Sequence, residues 1–389
     1  MRAVTADHVL FNECIPMFRP KEIKVNDEEQ TTIGYLLLDY RLEEELIFDY
    51  FKIEPTIEVR LPGAYAGFIA PVHMPKWFEW NHNSHLFTIA LAAVFSFSIG
   101  RPVKAPRDGY ITRRTGIDYN SIEELAIQFP VVTAGPGAHD TSISKESLKK
   151  FYNNLQEMCK MLYNIPYELY ENVMQSIRLV HLSHLTKRDD FGLSYYLLIS
   201  AIEPIANKAI KRNKVVFKHP KEEQWREIGK TNKDIEELLQ MYKQERGKSQ
   251  YISKRFVEFI LKYCPPEQWS DLEHPMENMA SYHEELTGQG NDWYLKKPRD
   301  EKYPDDFSGD EIRQLLKDMY DYRSKFTHEG KNPPHQNPKS HNRFFDTQTM
   351  VTEKNGEFII EEITVPNFQL VSFIANRSIQ NYLQDKMSS

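Results

Sequence analysis

The sequence predicts an α+β protein, with a mixed α/β part over residues 1–140 and a mostly helical part over residues 141–389 that carries a β-hairpin. Three observations lead there. The first part sets β-rich runs around one strongly apolar helix, the second carries seven segments of helical periodicity, and an Asn-Gly pair flanked by alternating residues interrupts them late in the chain.

In the first part, 56–61 and 129–133 read as strands flanking the apolar run Leu86 to Ile99. That run is too short to span a bilayer and is expected as a buried helix. The neighbouring Trp77, Phe78 and Trp80 suit either a core or a ligand pocket. Gly135-Pro136-Gly137, continued by Ala138-His139-Asp140, marks the change of character and lacks the Lys-Ser/Thr ending of a phosphate loop, so it reads as a linker. Helices are then expected over 144–163, 167–186, 191–212, 221–246, 250–263, 308–329 and 366–385. The hairpin is expected from Phe344 to Val365 around Asn355-Gly356. Between 265 and 307, Pro, Gly, Asp and Asn accumulate, which reads as an insertion.

With 389 residues, 40% of them hydrophobic and 12% aromatic, the chain can build two or three domains with large cores. A net charge of −7 argues against blanket attraction to nucleic acid or acidic membranes, so any polyanion site must be a local patch. Cys14, Cys159 and Cys264 are odd in number and form no Cys-x-x-Cys pair, so neither a disulfide framework nor a zinc ribbon is indicated. A reducing cytoplasm fits. Met1 to Glu13 lacks the apolar core of a signal peptide, and no membrane association is expected.

The chemistry concentrates in the helix expected at 308–329. Ser308 and Glu311 form a capping box, and Phe307 and Ile312 are spaced for a hydrophobic staple. At about 100° per residue, Ile312, Leu315, Leu316, Met319 and Phe326 share one face, and Arg323 falls within it. A guanidinium there must be paired or must face a ligand. From Phe191 through Ala206 the only charged residue is Glu203, so the two are expected to meet across the bundle. Pro204 removes the donor to the Ser200 carbonyl and loosens the helix beside that acid. Such a pair can simply fix helix register. His328 adds a titratable group, but an i, i+5 pair differs by about 140° around a helix. Gly330 offers a stop, so the ring could swing toward the arginine or reach a second copy of the helix.

The motif Arg323-x-x-x-x-His328, on a capped helix with an acid on an earlier helix and Gly330 following, resembles the HEPN superfamily, most closely its ApeA-like branch, over roughly residues 145–389. The resemblance implies a helical bundle that forms a homodimer, in which two such motifs face each other as a metal-independent endoribonuclease site. It implies Arg323, His328 and Glu203 as catalytic residues, RNA as the substrate, no cofactor, and antiviral defence by abortive infection, with residues 1–140 as a regulatory or sensor part. Members often carry Asn, Asp or His after the arginine; Ser324 stands here and is grouped with the substrate-binding residues.

The implied reaction uses the RNA 2′-hydroxyl as nucleophile. An imidazole with an ordinary pKa of about 6.5 can move the protons, and a guanidinium can stabilise the crowded phosphorane. For binding, Lys208, Lys211, Arg212, Lys214, Lys218 and Lys221 form a run with no acid among them. They could track an RNA backbone or only complement a helix dipole. His335 and His341 follow in a Pro-rich loop, either lining the site or exposed. His82 with His85 and His181 with His184 have i, i+3 spacing but no third metal ligand. No Gly-x-Ser-x-Gly elbow and no Cys–His catalytic context are present. The rival to an endoribonuclease is a non-catalytic RNA- or protein-binding scaffold, in which the Glu203–Arg323 pair holds the bundle.

Overall fold

The computed structural model describes residues 7–24, 32–61, 65–78, 84–107, 117, 119–131, 142–216, 218–248, 251–290, 292–295, 301–335, 342–354 and 357–388. The class is α+β, as expected. Along the first part run α1 (Asp7–Phe18), β1 (Ile33–Leu38), β2 (Leu46–Ile47), β3 (Lys52–Ile53), β4 (Ile57–Leu61), β5 (Tyr65–His73), α2 (Ser84–Ile99), β6 (Val103–Lys104) and α3 (Tyr119–Gln128). All the described strand pairs are antiparallel, with β5 as the spine. β1 pairs along one edge of β5, from Ile33↔His73 to Leu38↔Phe68, while β3 and β4 share the other edge.

The layering follows from β1, which is buried at every position, as a strand covered on both faces must be. Alternate residues point opposite ways. Ile33, Tyr35 and Leu37 join a small core completed by Ile122, Leu125 and Ala126 of α3. Leu36 and Leu38 join the large core on the other side, where α2 packs on β1.

α2 has no polar face. Fourteen of its sixteen residues are buried, so it needs neighbours all round and finds them in α1, β1, β6 and the helices that follow. One continuous apolar cluster therefore runs from Phe11 and Phe87 to Leu198, Leu316 and Leu383. Polar bonds reinforce the join. Arg19 donates to the carbonyls of Leu162 (2.6 Å) and Ile165 (2.7 Å) and lies over the rings of Tyr167 and Tyr170. The Tyr170 hydroxyl returns a bond to the Ile15 carbonyl at 2.6 Å. Trp77 and Phe78 belong to this core; Trp80 lies outside the described residues.

The second part comprises α4 (Lys145–Asn164), α5 (Tyr167–Thr186), α6 (Phe191–Ala209), α7 (Glu222–Gly229), α8 (Lys233–Lys248), α9 (Ile252–Tyr263), α10 (Glu277–Thr287), α11 (Gly309–Glu329), β7 (Phe345–Lys354), β8 (Glu357–Pro366) and α12 (Phe368–Ser388). β7 and β8 form the expected hairpin, its base buried at Phe345 and Val365 and its outer part exposing Val351, Phe358 and Ile360. The turn residues Asn355 and Gly356, like the linker around Gly135, Pro136 and Gly137, lie outside the described residues. Among the described residues no helix is long and apolar enough to cross a membrane.

Two expectations need correction, and a third gains detail. The helix expected over 221–246 is two helices, because the Asn232 side chain accepts from the amides of Asp234 (3.0 Å) and Ile235 (3.3 Å) and starts α8 anew. The strand expected at 129–133 is absent over its described residues, where Phe129 instead continues the turn of α3 by bonding Leu125 and packs on the small core. The insertion between 265 and 307 contains α10, a helix with no buried residue. It docks through polar bonds, Asn278 to the Ser144 amide (2.9 Å) and Glu285 to the Lys145 amide (2.7 Å), so no apolar stripe announces it.

A Cβ at Gly34 would lie 2.6 Å from Thr88 Cγ2 and 2.9 Å from Met74 Cε, where β1 meets α2. Gly34→Ala is therefore expected to destabilise the fold by about 1–3 kcal/mol, read as a lower denaturant midpoint; an unchanged midpoint would refute that packing.

Candidate functional site

The site is built on α11 and α6. The Ser308 side chain accepts from the Glu311 amide, and Glu311 returns a 2.7 Å bond to the Ser308 amide, so the expected capping box starts α11. Ile312, Leu316 and Met319 are then buried, and the next turn brings Arg323 against α6. There its Nη2 lies 3.3 Å from Glu203 Oε2, with both side chains about a fifth exposed, at 20% and 18%. The expected pair is formed.

Two tyrosines complete its surroundings. The Tyr320 hydroxyl donates to the same Glu203 oxygen at 3.2 Å, and burial together with the charge of Glu203 pushes that hydroxyl's pKa up to about 12, keeping it a donor. The guanidinium carbon lies 5.6 Å from the Tyr196 ring and 5.9 Å from the Tyr320 ring, within cation–π range. Arg323 Nε is buried without a hydrogen-bond partner among the described residues. The guanidinium is thus held on one side and retains a donor. Neither tyrosine was singled out from the sequence, although Tyr320 stands one turn before Arg323 and Tyr196 two turns before Glu203, spacings that place each on the same helical face.

His328 behaves otherwise. α11 stays helical to Glu329, and Gly330, at φ 66°, closes it in the left-handed conformation with Gly330 and Lys331 amides bonded to the carbonyls of Phe326 and Lys325. The helix does not unwind, so Arg323 and His328 remain on different faces of one chain. His328 is exposed. The end of α11 is fixed by Phe326 stacking on Tyr196 at 5.2 Å and by Asn332 packed close to Gly192, where a Cβ would strike it. Ser324 is half-buried beside the motif.

An open cleft of about 1240 Å³ lies between the end of α6, α9 and the first half of α11. Tyr320 forms part of its wall, so the cleft adjoins the Glu203–Arg323 pair. Of the basic run, Lys214 lines this cleft. Arg212 instead donates to the Arg246 carbonyl at 2.8 Å, while Lys208 and Lys211 are exposed and outside the lining.

Other candidates are core or loop residues. His181 bonds the Val103 carbonyl at 2.6 Å, His184 lies 3.4 Å from Ser372, and burial lowers their pKa values to about 4 and about 3. His85 is buried too, whereas His82 and His341 fall outside the described residues. His335 neither lines the site nor lies in solvent: it sits by the rings of Phe191 and Tyr195 and bonds the Pro366 carbonyl at 2.9 Å. The three cysteines are free and buried, which pushes their pKa values up. Among the described residues no three His, Cys, Asp or Glu side chains gather as a metal site.

Comparisons with protein-family models, with curated proteins and with solved structures return no significant match. The ribonuclease reading therefore rests on these residues and their arrangement.

Glu203→Ala is expected to cost about 1–3 kcal/mol, between the values of exposed and fully buried pairs, while His328→Ala leaves stability unchanged. Matched denaturation curves check this, and equal midpoints would remove the pair's structural role. Acid should weaken the fold through His181 and His184. Below about pH 6.5 the unfolded chain binds protons that these rings refuse in the folded state until about pH 4 and about pH 3. Stability from these rings is complete above pH 6.5 and falls as pH drops, by up to about 1.4 kcal/mol per pH unit for each. Denaturation from neutral pH to about pH 5 measures the slope, which His184→Gln should make shallower.

Proposed function

We propose that the chain is a HEPN-type endoribonuclease that works as a homodimer and cuts RNA by attack of the substrate's own 2′-hydroxyl. The observation carrying this reading is the Glu203–Arg323 pair, a guanidinium with a spare buried donor, bonded through Glu203 to Tyr320 of a cleft wall. Glu203 and Tyr320 fix the arginine, so it can stabilise charge on the non-bridging oxygens without reorganising. His328 sits about 7.5 Å further along the helix and about 140° around it, so the imidazole assigned to proton transfer serves a phosphate at the arginine only when a second copy presents it. An active centre shared between two chains follows. Attack by the 2′-hydroxyl leaves a 2′,3′-cyclic phosphate and a 5′-hydroxyl, and DNA, lacking that hydroxyl, would not react. Cutting phage or host RNA in antiviral defence is the biology this reading implies.

A second reading has its own observation. The exposed His328 lies outside the cleft lining, as a non-catalytic scaffold would allow, with Arg323 serving only to set helix register.

The two readings separate in one set of preparations. Purified protein with EDTA and single-stranded RNA is expected to give cyclic-phosphate ends, and His328→Ala to abolish cleavage while keeping fold, self-association and most RNA affinity. Arg323→Ala should also abolish cleavage and lose some stability. Mixing the two inactive variants should restore partial activity at most. Full cleavage by folded His328→Ala protein would eliminate the catalytic assignment, and loss of activity in EDTA with rescue by magnesium would eliminate the mechanism.

A further inference from the structure

The cleft beside the ion pair has a charge the chain as a whole does not. The protein carries −7 overall, yet Lys214, Lys254, Lys262, Arg313 and Lys317 line this one hollow against two carboxylates, Glu258 and Asp310. Glu258 is already engaged by Arg313, which bridges α9 to α11. Asp310 is the other acid of the lining, and the four lysines are exposed; of them Lys262 also donates to the Tyr263 hydroxyl at 2.8 Å, with Asp385 beyond it. Like charges gathered in a concave site raise the local potential and repel one another until an anion enters.

The arrangement is elongated. Lys254 and Lys262 stand eight residues apart on α9, about 12 Å along its axis, and Lys317 lies across from them on α11. A row of that length suits successive phosphates of a strand better than one compact anion. At one end stands Tyr251, the only described residue other than glycine with a positive φ, 51°. An L-residue pays for that conformation unless its surroundings impose it, and such strain gathers at functional positions. Tyr251 lines the cleft, and the Arg212 and Lys254 cations approach its ring at 5.9 and 5.6 Å. An aromatic face among cations is the surface on which an unpaired base stacks while its phosphates are neutralised. Tyr320 contributes to the wall, and through its bond to Glu203 the cleft adjoins Arg323.

We infer that this cleft is the seat of a single-stranded RNA segment, with phosphates on Lys214, Lys254, Lys262 and Lys317, a base on Tyr251, and the strand directed toward Arg323. The identity of the strand rests on the ribonuclease reading; the binding site does not. A duplex keeps its bases stacked inside and cannot offer one to Tyr251. An acidic peptide would use the lysines and leave the tyrosine without a role.

The test is fluorescence anisotropy with the full chain and a labelled 2′-O-methyl single strand of about twelve nucleotides, which has no reactive hydroxyl and so is not cut. Lys254→Glu with Lys317→Glu is expected to weaken binding by about tenfold or more and to reduce the slope of log affinity against log salt by about 1.4, two phosphates at about 0.7 each. Tyr251→Gly, which relieves the strain, should weaken binding about tenfold with little change in slope. Lys149→Glu with Lys160→Glu makes the same change of charge on α4 and should stay within about twofold. Circular dichroism checks folding, and Lys214→Glu with Lys262→Glu is a second pair should the first misfold. Cleft variants that bind as the α4 control does would overturn the proposal. So would equal affinity for the duplex, or equal displacement by an oligoglutamate peptide. Binding without cleavage of ordinary RNA would keep the cleft and sink the ribonuclease reading; cleavage and binding untouched by the cleft variants would do the reverse.

Discussion

A helix without a polar face can persist in water only where every side is covered, and α2 imposes that condition on the whole molecule. The sheet and α1 cover part of it, and α4 and α5 cover much of the rest. The sheet and the helical bundle therefore meet on one core. The consequence reaches the candidate site residues. α5 packs on both α2 and α6, α6 carries Glu203, and α11 carries Arg323 against α6. The guanidinium is positioned by an unbroken series of packed helices that begins at a helix with no chemistry of its own.

Placing an arginine in an apolar stripe is costly unless its charge is met, and here three groups meet it at once. Glu203 supplies the counter-charge, while Tyr196 and Tyr320 cover the guanidinium with aromatic rings. Pairing of this kind fixes the register of α11 against α6, since sliding either helix by one turn would strand both charges. It also leaves Nε buried without a hydrogen-bond partner among the described residues. His328 has the opposite setting, exposed on the last turn of a helix that stays regular to its glycine stop. One chain thus presents the two groups in different directions.

Charge is distributed on the same logic of locality. An acidic chain attracts a polyanion only where cations outnumber acids over a concave surface, and the hollow between α6, α9 and α11 meets that condition beside the ion pair. Arg212, although part of the most basic stretch of sequence, is drawn away to hold the end of α8.

The sequence by itself determined the elements whose stabilisation is local or periodic. The box at Ser308, the stripe of α11 and the glycine stop at Gly330 are short-range signals, and each is present where its residues stand. The Glu203–Arg323 pair was legible for a related reason, since a single acid on one apolar helix and a single base on the core face of another have few other partners available. What stayed hidden depended on contacts between distant segments. α10 has no apolar stripe because polar bonds to the start of α4 hold it, and the break before α8 turns on one asparagine side chain. The cleft was the furthest from view: its lysines come from α9, α11 and the turn after α6, and only the packing of those segments makes a single electrostatic surface of them. Periodicity reports which face of a helix is buried; it carries no information about which other helix that face will meet, and the tertiary structure alone decided that.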